Sequence, residues 1–297
     1  MSSATPESNA TTSSTSTAEL ERVGFIGLGS QGGPMAARIA DSAFPLTLWA
    51  RRSDSLRPYS GKATSAATPA ELGRASDLVC ICVVDDAGVE AVVLGDDGVL
   101  AGMAPGGAIA IHSTVRPETC ERIARAAAVV GVDVIDAPVS GGGSAAEENA
   151  LLVMAGGAGA VVDRFRPVFG TFADPVVHLG PLGAGQVTKL LNNTMFTANL
   201  ATAADLMAVG RDLGVDPARL SEVVARGSGA SFAMNILGYK AGDLAQMADT
   251  AGPLLHKDVS ILAEVLKGRH PAIGPVWDAA DAALRTMRHP RNLERNR

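Results

Sequence analysis

The sequence predicts an α/β domain with a doubly wound, mostly parallel sheet, followed by an all-helical domain. Up to about residue 182, short apolar segments with a strand pattern alternate with segments of helical periodicity. Such alternation is typical of a parallel sheet whose strands are joined by crossover helices. After residue 185 no strand pattern is found, and apolar residues recur at helical spacing. We therefore predict a first domain at residues 21–182 and a helical domain at residues 183–297.

The strands of the first domain are predicted from short apolar runs bounded by turn residues. Helices are expected after the first strand, from residue 89, at 117–130, where Pro117 suits a first helical turn, and around 161–169. The predicted strands are residues 22–28, 46–50, 78–84, 108–112, 132–135, 151–154 and 176–179.

The helical domain is predicted to begin with one long helix over residues 186–210. Its apolar residues recur on a broad face, so the helix is expected to be largely buried, between subunits as well as domains. This favours a homodimer or homotetramer. Shorter helices are predicted at 217–226, 236–247, 254–266 and 276–288.

Composition limits the partners that this chain can have. Hydrophobic residues make up 47% and charged residues 19%, as in a globular protein. The net charge of −6 and the lack of a basic stripe exclude nucleic acid and anionic membranes as expected partners. No apolar run is long enough to span a membrane. A small-molecule substrate is the expected partner.

The N-terminal segment, residues 1–20, is rich in Ser, Thr and Ala and is predicted to be a disordered tail. It lacks the apolar segment of a secretory signal, so a cytoplasmic location is expected. The three cysteines, Cys80, Cys82 and Cys120, have no metal-ligand spacing. We expect buried thiols and no metal site.

A glycine-rich turn lies between the first predicted strand and its helix. The first glycine of a G-x-G-x-x-G motif permits a tight turn, the second admits a pyrophosphate, and the third lets the helix pack closely. The helix N-terminus attracts an anion. An ordinary βα turn is the alternative, but the flanking strand and helix favour a dinucleotide-binding, Rossmann-type domain. The turn reads Gly27-Leu28-Gly29-Ser30-Gln31-Gly32.

Two arginines follow the second predicted strand, where the adenosine ribose of a dinucleotide would lie. An acidic residue there would bind the ribose 2′-hydroxyl, whereas arginine accommodates a 2′-phosphate. Arg51 and Arg52 occupy this position, and guanidinium groups bind phosphate bidentately. NADP (NADPH) is therefore predicted, with NAD less favoured. Solvated surface arginines are the alternative.

Lys189 and Asn193 lie four residues apart near the start of the long helix, so they share one face. Hydride transfer to an aldehyde leaves an alkoxide, which a neighbouring lysine stabilises or protonates. Burial favours the neutral lysine that the reverse reaction needs. A lysine that extends to solvent explains the residue equally well on this evidence alone.

The turn Ser140-Gly141-Gly142-Gly143 follows a predicted strand, at the edge where ligands bind in open α/β sheets. Successive glycines let main-chain N–H groups converge on an anion, and Ser140 adds a hydroxyl. A substrate carboxylate is the expected ligand. A flexible loop is the alternative.

Taken together, these stretches resemble motifs of the β-hydroxyacid dehydrogenase family, which includes 3-hydroxyisobutyrate dehydrogenase, tartronate semialdehyde reductase and glyoxylate/succinic semialdehyde reductase. The resemblance covers nearly all of residues 22–270. The glycine turn has Gln31 where Met is usual, and Asn149 stands where a glycine is usual. The matching stretches are the glycine turn, residues 50–53, 136–142 and 180–193, and Lys257-Asp258.

The resemblance implies a role for each matching residue. Lys189 would be the general acid/base, Asn193 would orient Lys189 or the substrate oxygen, and Ser140, Gly141 and Gly142 would bind the substrate. Asp258 would cap a helix or pair locally. Further cofactor contacts would come from Val83, Val84, Thr114 and Lys257.

The predicted activity is NADP-dependent hydride transfer between nicotinamide and a small carboxylated aldehyde or its β- or γ-hydroxy acid. An imine reductase on the same scaffold is one alternative, although such enzymes usually have Asp or Tyr in place of the helix lysine. A non-catalytic dinucleotide-binding module is the other, and it would not need Lys189.

Overall fold

The computed structural model describes residues 20–238, 240, 242–271 and 273–291. The tail predicted at residues 1–20 therefore lies outside the described residues, apart from Leu20. Among the described residues, no helix is both long enough and apolar enough to cross a membrane.

A six-stranded, wholly parallel sheet forms the centre of the first domain. The strand order is β3-β2-β1-β4-β5-β6, so the chain winds outward in both directions from the β1/β4 pair. Every residue of β1, β4 and β5 is buried, which explains their continuous apolar sequences. The strands are β1 (Val23–Ile26), β2 (Leu46–Trp49), β3 (Thr64–Ser65), β4 (Leu78–Ile81), β5 (Ala108–Ile111) and β6 (Asp133–Asp136).

Helices cover both faces of this sheet and enclose two apolar cores. The N-terminus of α3 is capped by Asp85, which accepts from the N–H of Gly88 at 2.8 Å. The short strand β3 and the helix α2 were missed by the strand and helix patterns because each is too short to show periodicity. The helices are α1 (Gly32–Ala40), α2 (Pro69–Arg74), α3 (Asp86–Leu94) and α4 (Pro117–Val129), with 3-10 turns at Ser53–Tyr59 and Val99–Ala101.

The later strands form a second, three-stranded sheet instead of extending the first. In it β7 is antiparallel to β8, and β8 is parallel to β9. Strand β9 begins three residues earlier than predicted; Pro175 lies within it, as an edge strand permits. The elements are β7 (Val139–Ser140), α5 (Gly142–Glu147), β8 (Leu151–Ala155), α6 (Gly159–Phe169) and β9 (Ala173–His178).

The C-terminal region is helical, as predicted, and has its own apolar core. The 29-residue helix α7 packs against α9, α10 and α11. We place the domain boundary at Gly183, the residue that precedes α7. The helices are α7 (Ala184–Asp212), α8 (Pro217–Arg226), α9 (Phe232–Gly238), α10 (Gly252–Val265) and α11 (Pro275–Thr286), with a 3-10 turn at Leu244–Met247.

The helix predicted at residues 236–247 is wrong. Helix α9 ends at Gly238, whose missing side chain admits the hydroxyl of Ser221; an added Cβ would lie 2.0 Å from that oxygen. Gly242 has a φ of +76°, which a helix cannot contain. The chain resumes as a 3-10 turn capped by Asp243. The apolar spacing on both sides of these glycines had suggested one continuous helix.

Candidate active site

A cavity of about 810 Å³ lies between the two domains, at the carboxyl ends of the central strands. Loops that follow β1, β4 and β5 line one side of it, and helices α7, α9 and α10 line the other. The cavity therefore opens where the strand order reverses, which is where open α/β sheets bind their ligands.

The glycine turn has the geometry of a dinucleotide cradle. Gly27 has a φ of +103°, and a Cβ there would lie 2.1 Å from the carbonyl of Cys82. A Cβ at Gly32 would lie 2.0 Å from the carbonyl of Gly27, whereas one at Gly29 would meet nothing within 4 Å. The N–H groups of residues 29–31 donate to no other main-chain group among the described residues. The turn thus fits a pyrophosphate, with close packing behind it and free donors in front.

Arg51 and Arg52 lie just after β2, beside the glycine turn, and both are exposed. Neither guanidinium makes a hydrogen bond within the described part of the chain. The neighbouring Arg57 instead pairs with Asp54 at 2.7 Å. The two arginines lie outside the lining of the main cavity, as do Gly27 and Leu28.

The side chain of Gln31 faces the same cavity. Its Nε2 atom is buried and has no hydrogen-bond partner among the described residues. An unsatisfied buried donor costs about 1–3 kcal/mol, so this amide is suited to a ligand acceptor. A methionine at this position would offer no such donor.

The turn that begins at Ser140 packs directly against the glycine turn. Gly141 and Gly142 have φ values of +131° and +80°. A Cβ at Gly143 would lie 2.7 Å from the carbonyl of Ser30, which shows how closely the two turns approach. Asn149 takes a φ of +57°, as expected of a residue that replaces glycine there. Ser140, Gly141 and Gly142 line the cavity.

Asp136, at the end of β6, fixes the start of α7. Its carboxylate accepts from the N–H groups of Gly183 and Gln186, both at 2.7 Å. These are two of the free donors at the N-terminus of α7, so a side chain 47 residues earlier acts as the helix cap. Gly185 lets the helix approach, since a Cβ there would lie 2.2 Å from the carbonyl of Met154. The cap sets the position of the helix face that follows.

That face of α7 carries Lys189 and Asn193 into the cavity. The amide of Asn193 donates to Asp258 at 2.6 Å. Asp258, on α10, is buried, and its carboxylate also lies 3.0 Å from the ammonium group of Lys257. The Lys257 ammonium group donates in turn to the carbonyl of Thr114. The sequence placed Asp258 in a local pair; the structure adds its contact with Asn193 across the helical domain.

Lys189 is half-buried and makes no hydrogen bond with a described residue. Burial lowers the pKa of Lys189 to about 8. The negative charge of Asp258 acts in the opposite direction, and the positive charge of Lys257 lowers this pKa further. An amine with a pKa near the working pH takes up and releases a proton readily, as general acid/base chemistry requires.

Gln186 joins α7 to the loop after β5. Its amide accepts from the N–H of Val115 at 3.0 Å and donates to the carbonyl of Ser113 at 2.8 Å. The hydroxyl of Ser113 accepts from the N–H of Val83 at 2.8 Å. The first turn of α7 therefore holds the two loops that carry Val83, Val84 and Thr114 against the cavity.

Beyond these polar groups the cavity becomes apolar. The side chains of this part come from α7, α9, the 3-10 turn and α10. None is charged, and Asn199 beside them is the one polar residue that lines it within the described chain. We call this part the apolar chamber: Met195, Phe196, Phe232, Ala233, Ile236, Met247, Ala251, Leu254 and Leu255.

Comparison with known proteins connects this geometry to a family. Residues 22–180 match the model of the NAD binding domain of 6-phosphogluconate dehydrogenase. Residues 183–291 match the model described as NAD-binding of NADP-dependent 3-hydroxyisobutyrate dehydrogenase. The chain is 31% identical to 2-(hydroxymethyl)glutarate dehydrogenase of Eubacterium barkeri, over 83% of this chain and 82% of that one. It belongs to the β-hydroxyacid dehydrogenase family.

Two further relatives agree with this. The 3-hydroxyisobutyrate dehydrogenase of Pseudomonas aeruginosa is 32% identical over 80% of this chain and 83% of its own. A 3-hydroxyisobutyrate dehydrogenase structure from Salmonella typhimurium has a TM-score of 0.78 at 26% identity, covering 90% of this chain and 93% of that one. The protein is thus an NAD(P)-dependent hydroxyacid dehydrogenase with a Rossmann domain and a helical domain.

An imine reductase from Streptomyces aurantiacus has the same fold, with a TM-score of 0.64 over 89% of this chain and 94% of that one. At 19% identity this likeness concerns the fold alone. The hydroxyacid dehydrogenases are the better match, so an imine reductase is the weaker alternative. Because the matched relatives are enzymes, the hypothesis of a non-catalytic module is not supported.

Most of the site residues predicted from sequence line this one cavity. The glycine turn contributes residues 29–32, and the strand-end loops contribute Val83, Val84 and Thr114. Lys257 lines it from α10. No group of three or more possible metal ligands is found in the described part of the chain. The roles of Asp136 and Gln186 were missed, and so was the contact of Asp258 with Asn193, because each depends on a partner far away in sequence.

Proposed function

We propose that this member of the family is an NADP-dependent dehydrogenase that interconverts a small carboxylated aldehyde and its β- or γ-hydroxy acid. Lys189 is its general acid/base. The observation that supports this best is the state of Lys189: half-buried in the cavity, unpartnered among the described residues, and lowered to a pKa of about 8.

The cofactor would be held by the main chain of the first domain. The N–H groups of Gly29, Ser30 and Gln31 would donate to the pyrophosphate, and Arg51 with Arg52 would bind the 2′-phosphate. Val83, Val84, Thr114 and Lys257 would lie beside the nicotinamide end. When bound, the cofactor supplies the acceptor or donor of the hydride.

The substrate would be oriented by two groups on opposite sides of the cavity. Its carboxylate would accept from the Ser140 hydroxyl and the N–H groups of the glycines after it. Its hydroxyl would lie against Lys189, held from the side by Asn193. Asp258 accepts from the amide nitrogen of Asn193, whose amide oxygen accepts from the side chain of Asn192 at 3.1 Å. An amide oxygen has two lone pairs, so the second would accept from the substrate hydroxyl or from Lys189.

In the oxidation of the alcohol, neutral Lys189 takes the hydroxyl proton as the carbon loses its hydride. In the reduction, protonated Lys189 gives the proton back to the new oxygen. The acid and base forms of one group therefore serve the two directions, and low local polarity keeps them close in energy.

Lys189→Met tests this role. We expect kcat to fall about 10²- to 10⁴-fold, the usual contribution of a positioned acid/base group. NADPH binding, measured by fluorescence titration, should remain as in the wild type. Lys62→Met is the matched control, since Lys62 is an exposed lysine that pairs with Asp41 on the surface. Turnover that persists in Lys189→Met would reject the mechanism.

The cofactor choice is tested by Arg51→Asp. A charge-assisted hydrogen bond contributes about 1.5–3 kcal/mol, so the preference for NADPH over NADH should fall by about tenfold or more. Arg74→Asp is the control, because Arg74 is exposed at the end of α2. An unchanged preference in Arg51→Asp and in Arg52→Asp would reject the 2′-phosphate site.

We also propose that the enzyme works in the cytoplasm as a homodimer or homotetramer. Large apolar side chains on α7 and at its end remain exposed, with 52% exposure for Leu191, 52% for Val209 and 76% for Leu213. Exposed apolar residues on one helix favour a contact between subunits. Sedimentation tests this: the wild type should sediment as a dimer or tetramer, and Val209→Asp should sediment as a smaller species. A monomeric wild type would contradict the proposal.

A further inference from the structure

We infer that the substrate carries an apolar substituent larger than a methyl group, and that this substituent occupies the apolar chamber. This inference rests on the proposed function, because it places the carboxylate at Ser140 and the reacting carbon at Lys189. The inference concerns the remaining part of the substrate, which lies against neither Ser140 nor Lys189.

The spacing of residues along α7 places the apolar chamber close to the catalytic lysine. Lys189, Asn193 and Phe196 lie at positions i, i+4 and i+7, so they share one face of the helix. Seven residues correspond to about 10 Å along the helix axis. The chamber therefore begins within two helical turns of the catalytic lysine, in the same cavity, and a group attached to the carbon next to the reacting carbon reaches it.

The charged side chains of the cavity lie in one half of it. The polar half of the cavity contains Lys189, Lys257 and Asp258, whereas the side chains that define the chamber are all uncharged and apolar. A second carboxylate, a phosphate or an amine placed there would lose its hydration without gaining a partner. The chamber thus selects against doubly charged acids and favours hydrocarbon.

Large apolar side chains of the chamber remain exposed towards the cavity. Phe232 is 62% exposed, Met195 55% and Leu254 49%, and all three line the same cavity. The rings of Phe196 and Phe232, from α7 and α9, lie 5.9 Å apart and form one wall. Covering these side chains with hydrocarbon removes apolar surface from water on both partners.

The experiment is a substrate series with the full chain and NADP⁺. The acids are 3-hydroxypropanoate and its 2-methyl, 2-propyl and 2-benzyl derivatives, each oxidised at the terminal hydroxyl to the semialdehyde with release of one proton. We expect kcat/KM to rise about fourfold for each added methylene, the effect of burying one CH₂ group. Flat or falling values from methyl to benzyl would reject the chamber as a substrate site but leave the proposed function intact. Oxidation of none of the acids would reject both.

A variant pair identifies the chamber as the source of the preference. Phe232→Ala should lower the ratio of kcat/KM for the benzyl acid to that for 3-hydroxypropanoate by about tenfold. This exposed residue is not needed for the core, so the variant is expected to fold. Val223→Ala, at a position of α8 that is 69% exposed and outside the cavity lining, should leave the ratio unchanged. If Phe232→Ala changes the sedimentation of the enzyme and not the ratio, the chamber is a subunit contact and the inference is wrong.

Discussion

The two walls of the active-site cavity are built differently. The wall from the Rossmann domain is largely main chain: glycine turns and strand-end loops that offer N–H and carbonyl groups. The wall from the helical domain is made of side chains on α7, α9 and α10. The first wall depends on close approach of the backbone, and Gly27 and Gly32 are the positions in its turn that leave no room for a Cβ. In the proposed function, the second wall carries the proton transfer and accommodates the substrate.

Few polar contacts join the walls, and they determine how the chemistry faces the cofactor. Asp136 caps α7 from the sheet, Gln186 holds the loop after β5, and Lys257 reaches the carbonyl of Thr114 from α10. These three residues connect surfaces that belong to two different apolar cores and bring them together at one site.

The largest expected effect follows from breaking the Gln186 contact. Gln186→Met keeps the volume of the side chain but leaves the Ser113 carbonyl and the Val115 N–H buried without partners. Each unsatisfied group costs about 1–3 kcal/mol, so the free energy of unfolding should fall by about 2–6 kcal/mol. The KM for NADP⁺ should rise as well, because the Thr114 loop loses its support. Urea unfolding and steady-state kinetics measure the two effects.

Gln246→Met is the control for Gln186→Met. Gln246 is an exposed glutamine whose side-chain amide makes long hydrogen bonds to the carbonyl of Lys240 at 3.4 Å and to the carboxylate of Asp243 at 3.3 Å. Gln246→Met should change neither the free energy of unfolding nor the KM for NADP⁺. If Gln186→Met behaves like this control, the Gln186 contact is not needed to hold the two walls together.

A glycine pair tests whether the first wall works through its main chain. Gly32→Ala forces a Cβ to within 2.0 Å of the Gly27 carbonyl, so it should destabilise the protein by about 1–3 kcal/mol. Gly29→Ala meets nothing within 4 Å and should keep its stability. Both variants should bind NADP⁺ less tightly, Gly29→Ala because its methyl group occupies the pyrophosphate position. Thermal unfolding together with cofactor titration separates these outcomes.

The contrary result for the glycine pair is equally clear. A Gly29→Ala variant that binds NADP⁺ with unchanged affinity would mean that the cofactor does not approach this residue. The glycine turn would then serve the packing of α1 and not the binding of the cofactor.

The same difference between the walls explains what the sequence could predict. The glycine turn, the alternation of strands and helices and the Lys189 face of α7 depend on short-range spacing, so they were predicted. Asp136, Gln186 and Asp258 act through partners 47 to 73 residues away, and no local pattern reveals such contacts. The helix predicted at 236–247 failed for a related reason: Gly238 is needed because Ser221 lies against it in space.

The smallest expected effect concerns the second wall, where burial lowers the pKa of Lys189 to about 8 and the charges of Asp258 and Lys257 act on it in opposite directions. Neutral Lys189 is the form that takes the substrate proton, so kcat/KM for oxidation should rise with pH and level off above about 8. Asp258→Asn removes the negative charge that favours the ammonium form, which lowers the pKa of Lys189 and moves the rise to lower pH. Lys257→Met removes a positive charge and moves it to higher pH. Shifts of up to about one pH unit, each about 1.4 kcal/mol, are expected.

The opposite signs are the decisive part of this pH experiment. A variant that only disturbs packing lowers the whole profile without moving its inflection, and two such variants would not move it in opposite directions. Reduction of the aldehyde should show the mirror image, with activity lost above the same pH, because protonated Lys189 is then the proton donor. If the inflection stays in place in both variants, the titrating group lies elsewhere, and the side-chain wall does not control the proton transfer.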